Sequence, residues 1–513
     1  MENNHDHPTR RSFIAAAAAS SAIPLLPQGA SAASAAKLLV AGSRTLEVNG
    51  LPARVFRLTG SDGKSGITLA PGERFRVELS NQAGTSTIIH WHGQLPPWKQ
   101  DGFPWMETPP IVPGATKSYD YAPIPGTFWM HSHQGLQEQS LMTAPLIVHS
   151  AADQRADDQE VVMMLHDFSF RTPDELLADL TGQTPYAVHR MSRAVENFST
   201  NAVHKLNSDT DQTDTGMGMG MGMGMGMGMG MGSMNMGGGS AMDLNDIEYD
   251  AFLANDRTLS DPEIVAVASA GRVRLRIING SSSSQFWVGF GGLIGTVIAA
   301  DGHDVHPVRA AYVPIAIAQR LDVLIEIPPG KPIPVFATLE GSRRRTGIVL
   351  APPGVPIPRF TDVAPRVAPP VDNSLEMRLT ARQPLVPRPP DMVQRIVLSG
   401  RMKPYAWSLN GAYWPKPVPL MLTNGQRVEI ELINHSMMAH PMHLHGHAFQ
   451  VVAINGTPVT GAVRDTVLVS PMMGSIRIAF DADNPGRWAF HCHNLYHMMT
   501  GMMTEFRYHG VTV

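Results

Sequence analysis

Val428-Glu429-Ile430-Glu431-Leu432-Ile433-Asn434 alternates apolar and acidic side chains and then stops on an asparagine. Successive side chains of a strand point to opposite faces, so this is the pattern of a half-buried strand with one face on a core. The phrase occurs twice more, as Phe75-Arg76-Val77-Glu78-Leu79 running into Ser80-Asn81, and as Val273-Arg274-Leu275-Arg276-Ile277-Ile278-Asn279. Recurrence at about 200 and then about 155 residues predicts one β-sandwich built three times, in an all-β chain. The length of 513 residues agrees, at roughly 150 residues per domain. The domains are expected at 37–150, 151–365 and 366–513, with the proline-rich stretch from Pro352 to Pro370 as a semi-rigid linker.

The second domain is long because it carries an insertion at about 172–245. From Pro173 to about Val203 its composition is helical; a polar stretch follows, and then methionine alternates with glycine within 216–232. A chain in which every other residue is glycine forms neither a helix stripe nor a strand core, so a flexible surface loop is expected. At the N-terminus, Thr9-Arg10-Arg11-Ser12-Phe13-Ile14 precedes an alanine-rich run, which makes residues 1–36 a twin-arginine export signal. That route delivers folded proteins to the periplasm, and no later apolar run is long enough to span a membrane. A net charge of −4 without a Lys/Arg stripe argues against nucleic acid as a partner.

The single cysteine, Cys492, stands in His491-Cys492-His493, with His497 and Met502 following. It has no partner for a disulfide. Two His, one Cys and a weak axial Met make the ligand set of a blue-copper electron-transfer site. Three further His-x-His pairs occur: His90/His92, His131/His133 and His443/His445. On a strand, i and i+2 share a face at roughly 6–7 Å. His491 and His493 therefore face one way and Cys492 the other, so the cysteine serves one copper while its neighbours serve a second site behind it.

These motifs, HWHG, HSHQGLQEQ, HPMHLHG and HCHNLYHMMTGM, resemble the multicopper oxidases, in particular the three-domain bacterial branch of copper-resistance oxidases and laccases. The resemblance covers essentially the whole mature chain and implies three cupredoxin-like Greek-key β-sandwich domains. It implies four copper ions: a type 1 ion on His440, Cys492, His497 and Met502; a type 2 ion on His90 and His443; and a type 3 pair. One type 3 ion would take His92, His131 and His493, the other His133, His445 and His491. The ligands come from the first and third domains, leaving the second as a spacer. Four one-electron oxidations at the type 1 site would then reduce dioxygen to two waters. Asp101 falls where the family keeps a carboxylate for protons, and Asp465 either orients a type 1 histidine or braces a strand. His447, His166, His303 and His306 are expected in structural or surface roles.

Thioether sulfur selects Cu(I) over hard cations. Met217, Met219, Met221, Met223, Met225, Met227, Met229 and Met231 of the tract, with Met438 beside the first type 1 histidine, point to cuprous ions as the substrate of a periplasmic copper-tolerance oxidase. A laccase acting on phenols and aromatic amines is the alternative enzyme. A periplasmic copper-sequestering protein is the alternative of another class. Two positions depart from copper-oxidising relatives: Ser436 stands where an acid is common, and Met498-Met499 where another acid follows the last type 1 histidine.

Overall fold

The computed structural model describes residues 35–156, 158–184 and 244–511. The three alternating phrases form the strands Phe75–Asn81, Arg272–Asn279 and Arg427–Asn434. Each occupies the same place in its own sheet. Each pairs in parallel with the first long strand of its sandwich (Lys37–Val48, Gln159–Phe168 or Met392–Met402). On its other side each pairs antiparallel with Thr116–Tyr121, Arg320–Glu326 or Ser475–Asp481. A second sheet completes each sandwich, giving sheets of four and four, six and five, and seven and five strands.

The terminal asparagines explain why the phrase ends where it does. Asn81, Asn279 and Asn434 are fully buried. In each, Oδ1 accepts from the backbone N–H two residues on: Ala83, Ser281 or Ser436. The Nδ2 group donates to two carbonyls: Thr85 and Ile111, Ser284 and Ile315, or Met438 and Val469. One side chain thus satisfies three backbone groups where the chain leaves the first sheet for the second. The next strand is Ile89–His92, Phe286–Phe290 or His440–Leu444. The first and third carry His-x-His, and the second carries Phe286, Trp287 and Val288, so the second sandwich keeps the frame without the imidazoles.

Of the helical stretch expected from Pro173 to about Val203, a helix forms over Pro173–Thr181 and ends there, with a Thr172–Glu175 capping box and a left-handed Gly182 behind it, and residues 185–203 lie outside the described residues. The Gly-Met tract and the export signal lie outside the described residues. The proline-rich linker is strapped along the second sandwich: Gly341 and Ala368 exchange backbone bonds with Ala368 and Ser342, and Trp287 Nε1 donates to Pro369.

Asn279→Ala removes all three bonds at a corner that carries no His-x-His pair and leaves buried carbonyls unpaired. It is expected to lower the unfolding free energy by about 2–4 kcal/mol, read as a lower guanidinium midpoint.

Candidate metal centre

Cys492 ends the strand Arg487–Cys492 and lies opposite Met442 on the antiparallel strand His440–Leu444. Its Sγ is 3.6 Å from His440 Nδ1 and 3.6 Å from His497 Nδ1, and those nitrogens are 3.1 Å apart. His497 sits on the short helix Leu495–Met499, whose first turn is capped by Asn494. Met502 is buried beside them: its N–H donates to the His497 carbonyl (3.0 Å), and its carbonyl accepts from Cys492 (3.1 Å). The outward nitrogens are covered too. His440 Nε2 meets the Ser436 hydroxyl at 2.7 Å, His497 Nε2 lies 3.0 Å from the Asp246 carboxylate, and the Trp407 ring lies 4.0 Å from that of His497.

Behind Cys492, eight imidazoles converge. Within the His-x-His pairs the ring centroids are 5.7, 4.9, 4.8 and 5.4 Å apart, closer than an extended strand dictates because the rings lean towards a shared centre. His90 and His443 face each other through Nε2 at 3.4 Å, His445 and His491 at 3.0 Å, and His131 and His493 at 3.3 Å. His92 Nδ1 and His133 Nε2 are buried without a partner. Burial, helped by neighbouring imidazoles, lowers the pKa of His92, His131, His133, His443, His445, His491 and His493, which keeps these rings neutral. Ring nitrogens thus face each other in three pairs, and two more point inward without a partner. That is the donor set of a metal cluster. Burial also pushes the Cys492 thiol up, so a thiolate there needs a cation. Imidazole with thiolate fits copper.

Several of the nitrogens turned away from the centre are held by acceptors, whereas His493 Nδ1 is buried without one. Asp101 is fully buried, 2.8 Å from His445 Nδ1 and 3.2 Å from His90 Nδ1, so it is more than an Asp-Gly turn. Glu138 is 2.7 Å from His131 Nδ1. His491 Nδ1 donates to the Cys492 carbonyl (2.9 Å), a link from the cysteine backbone straight into the cluster. Of the two roles expected of it, Asp465 does not orient His440 or His497. It accepts from His92 Nε2 (3.0 Å) and lies 3.6 Å from His443 Nδ1, on the cluster side and not beside a type 1 histidine. The reason is Arg320, which grips Asp465 with both guanidinium nitrogens while donating to the carbonyl of Thr127. Gly93, at φ +85°, lets that pair approach: a Cβ there would fall 2.4 Å from Asp465 Oδ2.

Met438 packs half-buried beside this centre, while the tract methionines Met217 to Met231 lie outside the described residues. His447 is a core residue bonded to Tyr508 Oη (2.7 Å), His166 bonds Thr143, and His306 is exposed. The sequence reading missed Asp246, Glu138 and Arg320. Glu138 lies in a stretch already singled out, seven residues after His131 and the only charge there. Nothing local marks Asp246 or Arg320. Both belong to the second sandwich, which is therefore more than a spacer.

Three profiles described as multicopper oxidase match residues 48–153, 226–337 and 387–510. Multicopper oxidase MmcO of Mycobacterium tuberculosis is 30% identical over 451 residues, 86% of this chain and 81% of that one. Copper resistance protein A of Escherichia coli is 26% identical over 91% of this chain and 92% of its own length. The crystal structure of a laccase from Botrytis aclada superposes with a TM-score of 0.70 at 21% identity, covering 93% of this chain and 88% of that one. The fold is that of three cupredoxin-like β-sandwich domains.

Arg320→Met leaves the buried Asp465 carboxylate without its cation. The expected loss is about 3–5 kcal/mol in denaturant unfolding, with lower copper content by elemental analysis of the purified protein.

Proposed function

The chain belongs to the multicopper oxidase family, and from that premise we propose that it oxidises cuprous ions: four Cu(I), one dioxygen and four protons give four Cu(II) and two waters. His440, Cys492, His497 and Met502 would hold the type 1 ion, and His90 with His443 the type 2 ion. His92, His131 and His493 would hold one type 3 ion, and His133, His445 and His491 the other. When bound, these coppers supply the chemistry of taking electrons singly beside the cysteine and passing four to dioxygen.

The chain's own groups do the rest. Cys492 joins the two sites through its backbone and the 2.9 Å bond from His491. Asp101, held between His90 and His445, is the group placed to hand protons inward from the cluster's edge. Asp465, Glu138 and Arg320 keep the imidazole lone pairs aimed inwards.

One observation carries the choice of substrate. Both type 1 imidazoles are fully buried, and their outer nitrogens are covered by Ser436 and Asp246. Among the described residues an aromatic ring finds no exposed type 1 imidazole edge to touch, and the group that covers His497 is an anion, the buried Asp246 carboxylate, which suits a cationic donor. The acid that Ser436 and Met498-Met499 lack is thus supplied from the second sandwich. A resemblance to copper resistance proteins fits this reading, as does export to the periplasm by the twin-arginine signal. Dioxygen and Cu(I) are the reactants on this reading. Phenols are the reductants of the laccase alternative, and sequestration alone leaves the dioxygen chemistry of eight converging histidines without a use.

Steady-state kinetics decide. The intact protein is expected to oxidise Cu(I) with a kcat/KM at least about tenfold above that for a simple phenol, and removal of residues 216–232 to raise KM for Cu(I). A deletion without effect on Cu(I), together with faster phenol turnover, sinks the proposal. In Cys492→Ser the intense visible absorption and both activities are expected to vanish, whichever donor is used.

A further inference from the structure

We propose that a cavity between the first and third sandwiches is a receptor for a small neutral aromatic molecule, and that a guest seated there slows the dioxygen half of the reaction. The second clause rests on the multicopper-oxidase reading and not on the choice of electron donor. The cavity holds about 150 Å³. Its walls are the rings of Phe103, Trp105 and Trp414 and the thioethers of Met498, Met499 and Met503. The exposed Met106 and Pro415 mark its mouth, and the buried His133 its inner end. Methionine elsewhere in this core closes gaps. Here three of them border a space that stays open.

Size and lining choose the guest. Apolar cavities of this volume stay empty of water and accept a benzene-sized molecule. The Trp105 and Trp414 rings stand 6.1 Å apart at 67°, and Phe103 lies 4.4 Å from Trp105, so a flat ring finds both faces and edges to pack on. The thioethers add soft contacts to a ring edge. Charge does not enter the choice. The one cation on the wall, Arg487, lies 3.9 Å over the Trp105 ring and is answered by Glu505 and by Glu107, so no net charge is left to attract an anion. Trp105 Nε1 is buried without an acceptor, which adds a preference for a ring that carries an oxygen.

Position supplies the consequence. Phe103 is 5.0 Å from the His133 ring and 5.7 Å from that of His445, two imidazoles of the same group of eight. A guest in the cavity therefore stands between solvent and the cluster histidines. The type 1 imidazoles are covered from elsewhere, by Ser436 and Asp246, and neither of those lines this space. Occupancy is thus felt where dioxygen is reduced and not where the electron donor is met. No bond is made or broken with the guest, which acts by filling space.

The test uses the full-length copper-loaded protein and 4-fluoroanisole, a neutral ring with one acceptor oxygen that is not a phenol. Titration followed by fluorine NMR is expected to show saturable binding with a Kd below about 1 mM. Met499→Trp, which fills the cavity, is expected to abolish binding, and Trp414→Ala, which removes a wall, to weaken it about tenfold. With the probe at saturation, KM for dioxygen is expected to rise at least about threefold with either Cu(I) or a phenol as donor, while KM for the donor stays within about twofold. No saturable binding, or binding of equal strength in both variants, overturns the proposal. A bound probe that leaves KM for dioxygen unchanged, or raises that of the donor instead, overturns its second clause. The NMR readout needs no electron donor, so it stands apart from whether Cu(I) is the preferred substrate.

Discussion

Imidazole nitrogens that face one another at 3.0–3.4 Å in a dry interior have no polar partner but each other. Such an arrangement persists only if every ring is prevented from turning over. Much of the buried polar architecture around the centre follows from that constraint. Far-side ring nitrogens need acceptors, and Asp101, Asp465, Glu138 and the Cys492 carbonyl provide them for His445, His92, His131 and His491. Those carboxylates are costly to bury alone. Arg320 neutralises one of them and in turn bonds to Thr127 of the first sandwich, so three domains are tied together by what eight histidines require.

Much of this was legible in the sequence, for a definite reason. Strand alternation and the His-x-His spacing are local, since two residues of one strand share a face whatever surrounds them. The alternating phrase ending in Asn81, Asn279 or Asn434 likewise encodes a corner whose bonds lie mostly within five residues. Asp246 is different. It reaches His497 across 251 positions of chain, from a segment with no alternation and several acids from which to choose. Arg320 reads as an ordinary strand-start arginine until the fold brings Asp465 to it. Asp465 was noticed, but its side of the centre depends on that same long-range partner. Residues that act through space between domains leave no periodic trace.

The second sandwich illustrates the division of labour. Its equivalent of the His-x-His strand carries Phe286, Trp287 and Val288, and is packed as core. It nevertheless supplies the carboxylate that covers His497 and the guanidinium that fixes Asp465. A domain that contributes none of the clustered imidazoles thus covers His497 and pins Asp465.

The register of the strand ending at Cys492 has a consequence of its own. Met442 opposes Cys492 and His443 opposes His491 on one side, while His491 opposes Met503 on the other. Odd and even positions of this strand belong to different chemistries. Gaining or losing one residue inside it would exchange thiol for imidazole at both sites at once, whereas a change of two would preserve the alternation. The segment thus carries a parity constraint: an odd change in its length must be absorbed by a bulge, as at Val451–Ala453 in the same sandwich, for the alternation to survive.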